Sequence, residues 1–343
     1  MYRIFFRIVV CRIPAETAHG LWLLAVRAFA WKAPLLRALR LAPRPHPAGA
    51  IHALGRTFPG PLGLAAGMDK NATAIRSHLW LGFSHVEVGT LTPRAQVGNE
   101  KPRAWRELDL HALRNRMGFN NKGANAAARH LASLRRTKAG RRALVGVNLG
   151  KNKVTSPAEA PNDYAYGATL LAPYADYLVV NVSSPNTAGL RDLQSTEALR
   201  PILEATRAAA DAAAGRRVPL LVKIAPDLAD EDVDAVAQLA LDLGLEGVVA
   251  TNTTIRHDRG PGGLSGAPLK ARALEVVARL RARLGDGPVI IGMGGIETLE
   301  DARAMLAAGA TLLQGYTGLV YRGPAWPGRL NAQLTRPGTR RAR

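Results

Sequence analysis

Cysteine is all but missing from this 343-residue chain. The single one, Cys11, leaves no internal disulfide, no cysteine zinc site and no cysteine-ligated iron–sulfur cluster. The eight histidines (19, 46, 52, 78, 85, 111, 130 and 257) are scattered without metal-ligand spacing, and Asp69 and Asp227 have no carboxylate beside them in sequence. Metal catalysis therefore finds no support. Aromatic residues make up only 5% of the chain, and no basic stripe is interleaved with stacking residues, so composition gives nucleic-acid binding no specific signal. No such partner is expected, and a basic nucleic-acid-binding protein on a barrel scaffold stands as the non-enzymatic alternative. Also absent are a Walker lysine loop, a G-x-G-x-x-G turn after the first strand and a G-x-S-x-G elbow. These absences argue against a P-loop, a Rossmann nucleotide domain and a serine hydrolase of the α/β-hydrolase type.

Acidic residues are scarce too. There are 46 Lys+Arg against 26 Asp+Glu, a formal net charge of +20. Part of this excess is local. Residues 1–44 carry eight bases and one acid, Glu16, and the tail 336–343 carries four arginines and no acid. The rest is spread over the body.

The first 40 residues hold no apolar run near the roughly 20 residues of a spanning helix. Arg3, Arg7, Arg12 and Arg27 interrupt the apolar clusters, and Pro14 divides the segment into two short helices. A cleaved signal peptide does not fit this pattern. An organellar transit peptide shares the arginine-rich, acid-poor bias. Two further readings stand level on composition: helices lying on an anionic membrane surface, or helices packed on the main domain.

From about Pro61 the chain alternates short apolar runs with amphipathic stretches such as 196–214 and 230–243. Strands are expected at 62–67, 85–89, 143–148, 177–182, 220–224, 247–251, 289–292 and 311–315. Eight strand–helix repeats imply parallel strands joined by right-handed crossovers, closing into a (β/α)8 barrel behind the N-terminal helices. A doubly wound open sheet is the alternative. Nearly every strand ends in Gly, Asn, Ser, Thr or Lys, on the face where barrel active sites form. Gly292–Ile296 after the seventh strand and Gly315–Gly318 after the eighth suit a phosphate. Asn115, Asn120, Asn121, Asn148, Asn181, Asn186 and Asn252 offer donors and acceptors for a planar ring, a pyrimidine or an isoalloxazine. Lys70 and Lys223 can face ligand charge, and Lys223 stands out within the apolar run LLVKIAP.

The segments GLAAGMDKN, EVGTLTP, KPRAWREL, NRMGFNN, GVNLGKNK, VNVSSPNTAGLRDLQ, LLVKIAPDL, ATNTT, GGLSGAPL, IGMGGI and QGYTGLVYRGP occur in order up to about Pro324. Together they resemble the dihydroorotate dehydrogenases, in the membrane-associated, quinone-reducing class. NRMGFNN and NVSSPNTAGLRDLQ are the most specific. The resemblance implies a barrel with FMN that oxidises dihydroorotate to orotate in pyrimidine synthesis. Ala66, Gly67, Met68, Asp69, Lys70, Thr90, Asn148, Asn181, Lys223, Thr251, Gly266, Gly295, Tyr316 and Thr317 would hold FMN. Lys70, Asn115, Arg116, Met117, Gly118, Phe119, Asn181, Asn186, Asn252 and Thr253 would hold substrate.

Ser184 would be the catalytic base, where the soluble relatives use cysteine, and Thr187 and Phe119 would line a proton exit. His19, Arg103 and Tyr316 would lie near the quinone path. The resemblance tips the arm towards membrane contact: residues 1–42 form a quinone-access arm on an anionic lipid surface, at the cytoplasmic face of the inner membrane. Residues 43–335 form the barrel and 336–343 a basic tail without an implied role. The stretch IRHDRGPGGLSG is shorter than in many relatives and leaves Gly266 in place. Another FMN barrel oxidoreductase, acting on a different dihydropyrimidine or passing electrons to another acceptor, is the alternative among enzymes.

Overall fold

A computed structural model describes residues 2–29, 45–187 and 189–337. The expected arm–barrel boundary at 42–43 and the tail beyond Pro337 lie outside the described residues.

The chain opens with α1 (Tyr2–Ile8), a short 3-10 turn (Val10–Arg12) and α2 (Ala15–Phe29), broken at Pro14 as its fixed φ and missing N–H require. Next come a hairpin of β1 (Ile51–Ala53) and β2 (Arg56–Phe58), then β3 (Leu62–Leu64), α3 (Ile75–Trp80) and β4 (Val86–Leu91). After β5 (Ala104–Glu107) and β6 (Ala112–Asn115) follow α4 (Ala124–Arg135), α5 (Lys138–Arg141), β7 (Val145–Leu149), α6 (Ala160–Leu171) and β8 (Tyr177–Asn181). The second half runs α7 (Thr196–Ala214), β9 (Leu220–Ile224), α8 (Asp230–Asp242), β10 (Gly247–Ala250), β11 (Gly263–Gly266) and α9 (Lys270–Leu284). It ends with β12 (Val289–Met293), α10 (Leu299–Ala307), β13 (Leu312–Gly315), α11 (Thr317–Arg322) and α12 (Trp326–Leu334).

Eight parallel strands close into a barrel in the order β3–β4–β7–β8–β9–β10–β12–β13. The molecule is a (β/α)8 barrel with an N-terminal helical extension. Each expected strand is one of the eight, with ends shifted by up to three residues. Alternate side chains divide two cores. Leu178, Val180, Leu220, Val222, Val248 and Ile290 pack outwards against the helices. Tyr177, Val179, Leu221, Val249, Ile291 and Leu312 point inwards, together with Phe58 from the hairpin. Phe58 meets the His85 ring edge-on at 5.2 Å and so plugs the amino end. Gly63 is required there, since a Cβ on it would lie 2.2 Å from the His85 ring. Local signals agree with the helices. Ser195 caps α7 at its start and Gly215, at φ +62°, ends it. Thr298 and Asp301 form a capping box on α10.

Two features were not expected from the sequence: the hairpin, and an antiparallel sheet β5–β6–β11 joining two distant loops. Arg114 on β6 lies 4.0 Å over the Trp105 ring of β5.

The arm both packs and protrudes. Phe6 is buried, its ring 5.2 Å from that of Tyr321, and Tyr2 donates its hydroxyl to the Val320 carbonyl at 2.7 Å. Arg106 Nη1 reaches the Ile13 carbonyl at 2.8 Å. Ile4, Phe5, Ile8, Val9, Leu21 and Leu24 stay exposed. Among the described residues no single helix is long and apolar enough to cross a membrane. The two arm helices reach that length only together, across a bend of 116°.

Candidate active site

The carboxyl ends of the strands and the inner side of the arm enclose one continuous cavity of about 590 Å³. Its polar groups, among them Lys70, Thr90, Asn181, Lys223, Thr251 and Asn252, lie on the barrel side, and its arm side is mostly apolar. Asn181, Lys223, Thr251 and Gln314 rise from the strands into it. Ala66, Gly67, Met68 and Lys70 after β3, and Thr90 on β4, form one wall. Gly266, Gly294, Gly295, Tyr316 and Thr317 form another. Gly294 and Gly295 take φ +123° and +71°, and a Cβ on Gly295 would lie 2.7 Å from Lys270 Cβ, so backbone alone faces the cavity there. Asn115, Met117, Gly118 and Phe119 approach from β6 and the loop after it. Ser184, Asn186, Asn252 and Thr253 come from the loops after β8 and β10. His19, Trp22, Val9 and Ile13 close the arm side, with Tyr316 between the two regions.

Of the residues expected at the site, Asn120, Asn121 and Thr187 do not line the cavity, and neither do Asp69, Asn148, Arg116 and Arg103. Asp69 takes hydrogen bonds from the Thr73 and Ala74 amides at 2.8 and 2.7 Å, and so shapes the turn that carries Lys70. Asn148 lies beneath the floor, accepting from Thr90 Oγ1 at 2.5 Å and from Asn181 Nδ2 at 3.0 Å. Arg116 points out and donates to the Pro102 carbonyl. Arg103 is buried behind the wall: its Nη1 holds the Val97 and Asn99 carbonyls, and its Nε and Nη2 hold Glu16 on α2.

Glu16, Trp22 and Gln314 are among the cavity residues that escaped the sequence reading. Glu87 below them escaped it too. Its Oε1 accepts from Asn148 Nδ2 at 2.8 Å, and its Oε2 from Gln314 Nε2 at 2.7 Å. Arg191 was also missed. It spans three active-site loops through the carbonyls of Ser183 (3.3 Å) and Thr253 (2.9 Å) and the carboxylate of Asp227 (2.7 Å).

Burial sets the ionisation of the lining. It lowers Lys70 to about 8, against the pull of Glu16. It holds His19 at about 3, with the Lys70 charge adding to the effect, so the ring is neutral. Its Nε2 therefore donates to the Met68 carbonyl at 2.7 Å. Tyr316 is pushed up to about 12 and stays a phenol. Burial also lowers Lys223, while Glu87 works in the opposite sense. Ser184 is buried, and its Oγ accepts from the Asn186 amide at 3.3 Å. Thr187 is buried in the same loop, outside the lining.

Among the described residues the buried Thr251 Oγ1 has no hydrogen-bond partner, and Lys223, also buried, makes no side-chain hydrogen bond. A lysine, a hydroxyl and amides at the floor, with glycine backbone at the side, fit a planar polar ring carrying a phosphate.

Known proteins agree with this geometry. The dihydroorotate dehydrogenase family profile matches residues 50–337. The chain is 53% identical over 344 residues to the dihydroorotate dehydrogenase (quinone) of Thermobifida fusca, covering 96% of this chain and 91% of that one. It is 56% identical over 346 residues to the protein of that name from Streptomyces coelicolor, covering 95% and 91%. Among solved structures, the DHODH of Eimeria tenella in complex with ferulenol superimposes with a TM-score of 0.85 at 37% identity, covering 94% of this chain and 90% of that one. Its ligand-free form gives 0.80 at 39%, covering 89% and 92%. The chain belongs to the dihydroorotate dehydrogenase family, in its quinone-dependent class.

Proposed function

We propose that the protein oxidises dihydroorotate to orotate with FMN and passes the electrons to a membrane quinone, in the pathway to UMP. One observation carries this reading: the polar strand ends and the apolar underside of the arm share a single cavity. A two-substrate redox enzyme needs both surfaces within reach of one cofactor.

FMN, when bound, supplies the acceptor for the hydride. Lys223, Thr251, Thr90 and Asn181 would hold its ring, and Gly266, Gly295, Tyr316 and Thr317 its phosphate side. Asn148 and Asp69 would act one layer back, by fixing Asn181 and the Lys70 turn. Lys70, Asn115, Asn186, Asn252 and Thr253 would hold substrate, with Phe119 and Met117 closing over it. Lys70, protonated below about 8, suits the substrate's carboxylate. Ser184 would take the proton from the carbon beside the carbonyl. A serine hydroxyl is a weak base, so burial and the Asn186 amide must orient it.

His19 and Tyr316 would border the quinone, with Arg103 behind them holding α2. The exposed apolar residues of α1 and α2, flanked by Arg7, Arg12 and Arg27, support peripheral attachment to an anionic bilayer. With it go residues 1–42 as the membrane arm, 43–335 as the barrel, and a cytoplasmic-side location at the inner membrane, as parts of the same proposal.

An anaerobic visible spectrum tests the whole reading. Yellow protein should bleach with dihydroorotate and regain its colour with a quinone. Yellow protein that does not bleach moves the search to another substrate. Protein that stays colourless with added FMN refutes the proposal.

A further inference from the structure

Across the eight barrel strands, Glu87 on β4 and Lys223 on β9 are the only charged side chains. Both point into the barrel, and both are buried: Glu87 is 0% exposed and Lys223 3%. An isolated charge in such a place is costly, and two opposite charges relieve each other. Among the described residues no ion pair or hydrogen bond joins them directly, but a defined network leads from Glu87 to the strand beside Lys223. Glu87 Oε1 takes the Asn148 amide at 2.8 Å, and Asn148 Oδ1 takes that of Asn181 at 3.0 Å. Asn181 stands opposite Lys223 in the β8–β9 register. On the other side Glu87 Oε2 takes Gln314 Nε2 at 2.7 Å, with the Tyr177 hydroxyl at 3.5 Å. Carboxylate oxygens only accept, so the amide groups of Asn148 and Gln314 must turn their NH2 ends to Glu87. Asn148 then offers its carbonyl oxygen to Thr90 and Asn181 above.

Glu87 does not line the cavity, whereas Lys223, Asn181 and Gln314 do. We propose that Glu87 is a positioning residue for the cofactor site: the buried counter-ion of Lys223, and the anchor that sets which way the Asn148 and Gln314 amides face. Through them it controls the charge and the donor pattern presented to a flavin ring it never touches. The inference rests on the cofactor reading above only for its ligand; the charge pairing is a property of the barrel itself.

The test is a double-mutant cycle on the full chain with saturating FMN: E87Q, K223M and E87Q/K223M, read by denaturant unfolding. K223M leaves Glu87 as an uncompensated buried charge, so the double variant should be more stable than K223M alone. If K223M gives no folded protein, recovery of folded protein in the double variant is the same result. Losses that simply add, or a double variant that also fails to fold, overturn the pairing.

The second readout is FMN dissociation followed by flavin fluorescence. E87Q should weaken FMN by about tenfold, the worth of one hydrogen bond to a charged group. Unchanged FMN affinity in E87Q overturns the action on the cofactor site. If the unsubstituted chain takes up no FMN, the cofactor reading is what fails, and the stability cycle run without FMN still decides the pairing.

Discussion

Replacing Glu16 by glutamine should loosen the arm and leave the barrel intact. Arg103 Nε lies 3.2 and 3.1 Å from the two carboxylate oxygens, and Nη2 lies 2.7 Å from one of them. Arg103 is itself buried, and its Nη1 is already committed to the Val97 and Asn99 carbonyls. Glutamine keeps one acceptor and turns an NH2 towards the guanidinium. Breaking a buried pair costs about 3–5 kcal/mol and a hydrogen bond to a charged group is worth about 1.5–3 kcal/mol. The Glu16 side chain keeps 23% exposure, so water recovers part of the loss. A cost of about 2 kcal/mol follows, or about thirtyfold in the docked–undocked equilibrium of α2.

Arg103 holds the Glu16 carboxyl below its ordinary value of 4.5, chiefly by hydrogen bonding. A depressed carboxyl stabilises above its unfolded value and loses that contribution as pH falls through the folded one. Docking in the unsubstituted protein should therefore weaken on acidification below about 4.5, and in E16Q it should lose this dependence. Hydrogen exchange resolved by segment is the assay. Amides of Ala15–Phe29 should exchange faster in E16Q at neutral pH, while those of β7 to β9 stay protected. Reoxidation of the reduced protein by quinone should slow, and reduction by dihydroorotate should not. Unchanged protection of α2, or equal loosening of the barrel, would refute the latch.

Ser184→Ala should slow flavin reduction by dihydroorotate about 10²- to 10⁴-fold in stopped flow, with FMN content unchanged; wild-type kinetics would remove Ser184 as the base. Orotate affinity should fall as pH rises through about 8, where Lys70 loses its proton. In the ligand-free protein the sign is opposite. The folded value lies below the unfolded 10.5, so stability should rise with pH between the two. Orotate binding that stays flat to pH 10 would exclude Lys70 as the anion's partner. Gly295→Ala forces a side chain onto φ +71° and towards Lys270, at a cost of about 1–3 kcal/mol. The purified variant should lose most of its FMN while the barrel keeps its circular dichroism; full occupancy would show that this backbone does not cradle the cofactor.

The barrel was legible because its strands are buried on both faces and read as continuous apolar runs. The Leu62–Gly67 run stops being a strand at Leu64, because the chain turns there and Gly67, at φ +101°, leads it into the cavity wall. The β5–β6–β11 sheet was not legible. AWRE and ALRN mix charge with apolar residues and are mostly only partly buried, and ALRN pairs on its other side with a strand some 150 residues away, so no local pattern announces the sheet. The hairpin strands are three residues each, too short for a period. Arg103 and Arg116 sit close together in sequence, yet one is buried and the other half-exposed. What separates them is the acid from α2, which only the tertiary structure brings near.

The same two-sided burial that reveals the strands conceals which face each residue takes. In a half-exposed strand a polar residue points to water; in these strands it has nowhere to go except the barrel interior. A polar residue inside such a run therefore marks an inward position. Lys223 stands out in LLVKI on those grounds, and the same rule applies to Glu87 in VEVG, Asn148 in VGVN, Asn181 in YLVVN and Gln314 in LLQG. These five side chains occupy neighbouring levels of one interior and meet in one network or across one register step. Applied to every strand, the rule picks out the floor of the cavity and its buried counter-ion from the pattern of residues alone.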